Sequence, residues 1–330
     1  MKKSVVVGIA LISVLVMTSC AGTAGASDGD STAGLDPASP VKISVAETAG
    51  APSAFLQYGV DQGFFTDEGL DLEVDVSAGG AAAIPGLVSG NYQFAGSNVV
   101  SVILAAVKGL PITIVAAGTR SGETTDQDFS TVLVRADSDI KSPADLDGKT
   151  VAVNTLQNIS EVSVRAALDN ENVDTSEISF IEMGFPEMLP ALDGGHVDAV
   201  MAIEPFATTG LEAGDRSILS PYVQAMPGLM VGSYATTQDY LASNPEVVEA
   251  FRRGVAATGE AIGSDPAAFR TALPDLAKVQ PDAAQAMILP VWNSAVDVDS
   301  LSFIEDRMRA YGLTTEKFDV SSIVAPAGSE

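Results

Sequence analysis

The chain has 330 residues, with 17 Lys and Arg against 43 Asp and Glu and a formal net charge of −26. That balance excludes nucleic-acid binding, which needs clustered cations against phosphate; it reads as solubility, and its field repels any anion that local groups do not hold. An apolar content of 46% supports a sizeable core, and a single cysteine leaves no disulfide within the chain.

Lys2 and Lys3 precede an uncharged apolar run from Val5 to Met17. The run falls short of the roughly twenty residues of a spanning helix. A positive start, a short apolar core and small residues make residues 1–19 a secretory signal peptide. Met17-Thr-Ser-Cys20 resembles a bacterial lipobox, with Met where Leu is usual, so Cys20 is the expected lipidation site. Residues 20–40, rich in Ala, Gly, Ser and Thr, cannot bury a core and are expected to form a lipidated flexible tether. The string Gly25-Ala-Ser-Asp-Gly29 has GxSxG spacing but lacks the strand and helix of a nucleophile elbow.

From Val41 the pattern alternates. Strands are predicted at Val41 to Ala46, Leu72 to Val76, Gln93 to Ala95 and Pro111 to Ala117. Helices between them run over Ala54 to Phe65, Ala81 to Val88 and, capped by Asn98, along Val100, Ile103, Leu104 and Val107. After a Gly- and Thr-rich break at Gly118 to Asp128, a second alternation begins. Its strands are Thr131 to Arg135, Thr150 to Val153, Ile178 to Ile181 and Ala199 to Ile203. A turn at Ser142 to Asp145, a helix over Asn158 to Leu168 with Asn158 and Glu161 at capping-box spacing, and a helix over Pro186 to Leu192 lie between them. Glu204-Pro205 opens a further helix. A strand over Leu229 to Ala235 precedes helices at Pro245 to Ile262, Pro266 to Leu273, Pro281 to Val291 and Asp299 to Tyr311. Such βα alternation predicts parallel sheets with right-handed crossovers. Two lobes with a cleft follow: lobe one from residues 41–122 and 228–330, lobe two from 123–227. Crossings near Gly118 to Asp128 and Ala225 to Gly228 are small enough in side chain to bend.

Four phrases then resemble known ones, in order and spacing: QGFFTDEGLDLEV (Gln62 to Val74), LVSGNYQFA (Leu87 to Ala95), SPADLDGKTVAV (Ser142 to Val153), and ALDGGHVDA (Ala191 to Ala199) followed by Glu204-Pro-Phe206. Together they resemble solute-binding proteins of ABC importers, in the nitrate/taurine/alkanesulfonate and thiamine-pyrimidine-precursor branch. The resemblance covers about Val41 to Ala261. It implies an α/β, bilobal type II periplasmic-binding-protein fold, two parallel-sheet lobes joined by two crossing strands. It also implies a small-molecule solute in the interlobe cleft and an ABC permease with ATPase subunits as partner. The chain is then exported and lipid-anchored at the outer face of the cytoplasmic membrane, at a cell surface or in a periplasm. A monomer without cofactor is expected, and the membrane is touched only through the lipid.

In open α/β sheets, ligands meet strand carboxyl ends and helix amino ends. The candidate solute-binding residues are therefore Glu47, Thr48, Ser77 and Gly79 after the first two strands, then Gly96, Ser97 and Asn98. Thr119 and Arg120 follow the fourth strand, and Asn154, Thr155, Asn158 and Glu204 come from lobe two. Several have structural readings as well. Asn98 and Asn158 cap helices, Arg120 can pair with Glu123 or Asp126, and Glu204 can satisfy first-turn N–H groups. Phe185, Phe206, Tyr222 and Tyr234 could stack a ligand ring, although aromatics at such positions are more often core, and Trp292 in the tail is expected to pack. The solute class stays open between a sulfonate- or nitrate-like anion, a zwitterion and an amine-bearing ring. His196, the single histidine, lies in a turn, so neither a Ser-His-Asp set nor a His/Cys metal cluster can be built, and no enzyme is expected. The alternatives are a surface lipoprotein with a sensing or structural role, or a carboxylate-dependent hydrolase.

Overall fold

The computed structural model describes residues 35–77 and 79–326. The expected signal peptide, Cys20 and most of the expected tether lie outside the described residues. At the tether's end, Leu35 is half-buried against Gly69. No helix among the described residues is long and apolar enough to cross a membrane.

The first alternation gives β1 (Val41–Thr48), α1 (Ala51–Asp61), β2 (Leu70–Ser77), α2 (Gly80–Val88), β3 (Phe94–Asn98), α3 (Val99–Val107) and β4 (Ile112–Ala117), then a short β5 (Thr119–Arg120). The second gives β6 (Ser130–Val134), β7 (Thr150–Val153), α4 (Ile159–Asn170), β8 (Ser179–Glu182), α5 (Phe185–Asp193), β9 (Ala199–Ile203), α6 (Phe206–Ala213), β10 (Arg216–Leu219) and α7 (Pro221–Ala225). The chain ends in β11 (Gly232–Thr237), α8 (Gln238–Ser243), α9 (Pro245–Ser264), α10 (Pro266–Leu276), α11 (Pro281–Ala286), β12 (Val291–Trp292) and α12 (Val298–Ala310). Strands β4, β6 and β9 are buried along their whole length, β4 at the edge of its sheet and β6 and β9 inside theirs. That is why their sequences are continuous apolar runs rather than alternating ones.

Each lobe holds one sheet, ordered β2-β1-β3-β11-β4 in lobe one and β10-β6-β9-β7-β8 in lobe two. The sheets are mixed, which corrects the expectation of parallel ones. β1 runs parallel to β2 and β3, but β11 is antiparallel to both its neighbours, because it enters lobe one on the chain's return from lobe two. β6 is likewise antiparallel to β9 and β10. One core lies between sheet one and α9 and α10, built on Phe55, Phe94, Phe251 and Phe269. A second runs from α3 through Leu229 and Met230 into lobe two.

The crossings lie at Gly118–Gly122 and Gly228–Gly232 and are bonded to one another. Gly118 N–H donates to the Gly232 carbonyl, Val231 N–H to Thr119, Ser121 N–H to Leu229 and Gly228 N–H to Gly122, each at 2.9 Å. The tail adds β12 to the outer side of β5 as a third strand. The helix expected over Pro281 to Val291 therefore stops at Ala286. Arg270 Nη1 donates to the carbonyls of Ala284 and Gln285 in its last turn and of Met287 just after it, and Pro290 follows. The expected capping box at Asn158 is incomplete. Asn158 Oδ1 accepts from Ser160 N–H at 3.0 Å, but the Glu161 carboxylate takes the Gln157 N–H instead of the cap residue's own. The complete box is Ser142 with Asp145.

Candidate functional site: an interlobe cavity

Between the lobes lies a cavity of about 530 Å³, its mouth included. Glu47 and Thr48, from the end of β1, reach it beside Ser97 and Asn98, from the end of β3. The crossings contribute Gly118, Thr119, Val231 and Gly232, and lobe two contributes Asn154 after β7 and Ile159 and Ser160 from the first turn of α4. Phe129, Phe185, Tyr222 and Tyr234 line it as well, so the last three are at once buried core residues and part of the wall. Phe206 stays behind, stacked on Phe185 with centroids 5.9 Å apart, and Trp292 stacks on Phe55 at 5.0 Å.

Among the described residues Glu47 is the one ionisable carboxyl in the wall, and it is 4% exposed. Its Oε1 accepts the Thr48 N–H at 2.6 Å, and the Tyr234 hydroxyl also bonds it. Burial raises the carboxyl from its ordinary 4.5 to about 7, against the lowering effect of those two donors. The same carboxyl explains Gly96. A Cβ there would stand 2.0 Å from Glu47 Oε2, so only glycine leaves room for it. Among the described residues no Lys, Arg or His lines the cavity.

The amino ends of α1, α2, α3, α4 and α5 reach the wall, through Pro52, Gly80, Asn98, Ile159 with Ser160, and Phe185; side-chain caps occupy only the α3 and α4 ends. Asn98 Oδ1 accepts the Ser101 N–H at 3.0 Å, as Asn158 does for Ser160. Asn158 sits one layer back at 1% exposure and donates through Nδ2 to Asn154 Oδ1 at 2.8 Å; Ser160 Oγ donates to the same oxygen at 2.8 Å. Asn154 is thus held with its Nδ2 toward Gly79, where a Cβ would lie 3.1 Å away. Asp128 performs the same service for the aromatic wall. Its carboxylate accepts from Ser130 N–H at 2.9 Å and Val223 N–H at 2.8 Å, fixing Phe129 and Tyr222 with ring centroids 5.1 Å apart.

Of the other expected residues, Ser77 is behind the wall, its hydroxyl donating to the Glu47 carbonyl at 3.2 Å and the Gly79 carbonyl at 3.3 Å. Thr155 faces Gly79 across the cleft. Arg120 is not in the wall, and its partner is neither Glu123 nor Asp126: its Nη1 lies 3.3 Å from Asp297 Oδ2 at the head of α12. Glu204 is also outside the wall. It is 2% exposed, with Oε2 accepting from Thr208 N–H at 3.1 Å and Oε1 from Thr208 Oγ1 at 2.8 Å, the first-turn arrangement. Burial pushes its carboxyl up, the N–H of Ile288 opposing. His196 is exposed in its turn, away from the cavity. Among the described residues no His, Cys, Asp and Glu cluster is suited to a metal ion.

A two-lobed α/β body with a cavity between the lobes at the ends of its strands is the architecture of extracytoplasmic solute-binding proteins. Residues 52–268 match the family described as NMT1/THI5 like, and the chain belongs to that family. It is 26% identical over 246 residues to a formylaminopyrimidine-binding protein of Halalkalibacterium halodurans, covering 74% of this chain and 70% of the relative. Its fold is similar to that of the alkanesulfonate-binding protein SsuA of Xanthomonas axonopodis bound to MOPS. That likeness has a TM-score of 0.75 at 14% identity and covers 87% of this chain and 99% of the other. It is similar too to the periplasmic nitrate-binding protein NrtA of Synechocystis, with a TM-score of 0.68 at 14% identity and 86% of each chain covered. The bilobal type II fold and the solute-binding family resemblance read from the sequence both hold.

Proposed function

We propose that this protein captures a small, planar, amine-bearing nitrogen heterocycle of the aminopyrimidine type and hands it to an ABC permease and its ATPase subunits. The observation that carries the solute class is the buried Glu47 carboxyl, bonded by Tyr234 in a cavity with aromatic walls and, among the described residues, no cation. A ring amine donates to such a carboxyl, and the ring faces fit against Phe129, Phe185 and Tyr222. Among the described residues a sulfonate or nitrate finds no cationic side chain there and meets the Glu47 carboxyl instead. The relative named for a formylaminopyrimidine supports the same class.

Asn154, Asn98, Ser97, Thr48 and Thr119 are the polar contacts in this reading, and Gly96 and Asn158 act by placing Glu47 and Asn154. Arg120 has no part in it. Export, lipidation at Cys20 and anchoring by that lipid alone complete the proposal. Labelled palmitate should enter the wild type and not Cys20→Ala.

The test is a thermal-shift series with a formylaminopyrimidine, its parent aminopyrimidine, taurine, an alkanesulfonate and nitrate. At about a hundred times its dissociation constant, a ligand adds roughly 2.7 kcal/mol to stability. The proposal expects that shift from the pyrimidines alone. A shift from the sulfonates or nitrate alone contradicts it.

A further inference from the structure

Glu204 stands where β9 passes the chain to α6, yet two hydrogen bonds leave lobe two from this one residue. Its carbonyl accepts from the Ala51 N–H at 3.4 Å, and its Oε1 accepts from the Ile288 N–H at 2.9 Å. Both donors belong to lobe one. Ala51 opens α1, whose cap residue Gly50 offers no side-chain acceptor, so that first-turn N–H has no partner of its own. Ile288 follows Met287, which is buried in the lobe-one core with Phe55 and Phe269.

The surroundings hold both halves of this junction in place. Thr208 grips the carboxylate from the lobe-two side, at 3.1 Å and 2.8 Å. Arg270 grips the Ile288 side, its Nη1 donating to the carbonyls of Ala284, Gln285 and Met287 at 3.0, 3.1 and 2.7 Å. Beside it the lobes meet backbone to backbone: a Cβ on Gly50 would stand 3.0 Å from the Glu204 carbonyl oxygen and 3.6 Å from Pro205 Cδ. Glu204 does not line the cavity.

We infer that Glu204 is the clasp of the closed form, a positioning residue that holds the two lobes together over the cavity through the N–H groups of Ala51 and Ile288 without touching the solute. The inference rests on the two-lobed solute-binding reading but not on which solute is taken. Both bonds exist only while the lobes meet. Removing one acceptor leaves a buried N–H unmatched in the closed form and hydrated in the open form, which shifts the closed-to-open ratio about tenfold.

The experiment is amide hydrogen exchange on the full chain without any solute, with small-angle scattering on the same samples. Glu204→Ala removes the carboxylate and leaves the carbonyl. The expected result is exchange about tenfold faster at Ile288, and faster exchange at Ala51 too, although the substitution leaves Ala51's own partner in place. The radius of gyration rises with it. Glu204→Gln keeps an oxygen for Ile288 and restores all three readings. Acceleration confined to Ile288, with Ala51 and the scattering unchanged, makes Glu204 a local prop and overturns the inference; so does a wild type unprotected at both amides. If Glu204→Ala fails to fold, Arg270→Ala carries the same expectation by releasing the Ile288 segment. No solute enters the measurement, so a failure of the aminopyrimidine reading leaves its outcome intact.

Discussion

At the scale of single residues, Glu47 dominates the account. Its carboxyl is held up to about 7 by burial, well above its ordinary 4.5. A raised folded value means the native state binds the proton more tightly than the unfolded chain. The associated stability is complete below about pH 4.5 and is lost as pH rises through about 7, some 3 kcal/mol across the window. Denaturant unfolding at pH 5 and pH 8 should show the wild type losing stability between them, with Glu47→Gln losing much less. An equal loss in both would assign the effect elsewhere. Gly96→Ala tests the same site by volume. Its Cβ would fall on the carboxylate, so a destabilisation of about 1–3 kcal/mol is expected, together with displacement of Glu47 and loss of solute binding. A variant as stable as the wild type would show that Glu47 can swing away at no cost.

At the scale of elements, the caps and the ion pair make opposite predictions. Asn158→Ala removes the α4 cap and the bond that orients Asn154, and should cost about 1 kcal/mol with a clear loss of solute affinity. Arg120→Ala breaks only a partly exposed pair with Asp297, worth below about 1 kcal/mol, and should leave solute affinity unchanged. The pair of variants, compared by calorimetric titration, separates the two roles; a larger affinity loss in Arg120→Ala reverses them. Asn98 and Asn158 were legible as caps because a cap is a local arrangement, decided within three residues. Arg120 was not, because Asp297 reaches it from the far end of the chain. β10 and β12 were hidden for a related reason: Arg216–Leu219 and Val291–Trp292 are short, and they become strands only because β6 and β5 offer them an edge. Phe185, Tyr222 and Tyr234 look like core residues in sequence, since a cavity wall and a packed interior ask for the same buried aromatic.

At the scale of the whole molecule, the alternation of elements and the two-lobed plan could be read from the chain, because strand and helix periods are local signals, while the second crossing runs over Gly228–Gly232, a few residues beyond the expected Ala225 to Gly228. The mixed direction of the sheets could not, since β11 takes its direction from the return path between lobes. The crossings, bonded to one another and overlaid by β12, form a wall shared by the two lobes, and the solute is proposed to sit against them. The most direct test of that account is calorimetric titration of a formylaminopyrimidine into the wild-type chain and into Glu47→Gln. One-to-one binding with a negative heat-capacity change, weakened tenfold or more by the substitution, is the predicted result. Binding that Glu47→Gln leaves untouched, or no binding of the pyrimidine beside clear binding of an alkanesulfonate, would contradict it.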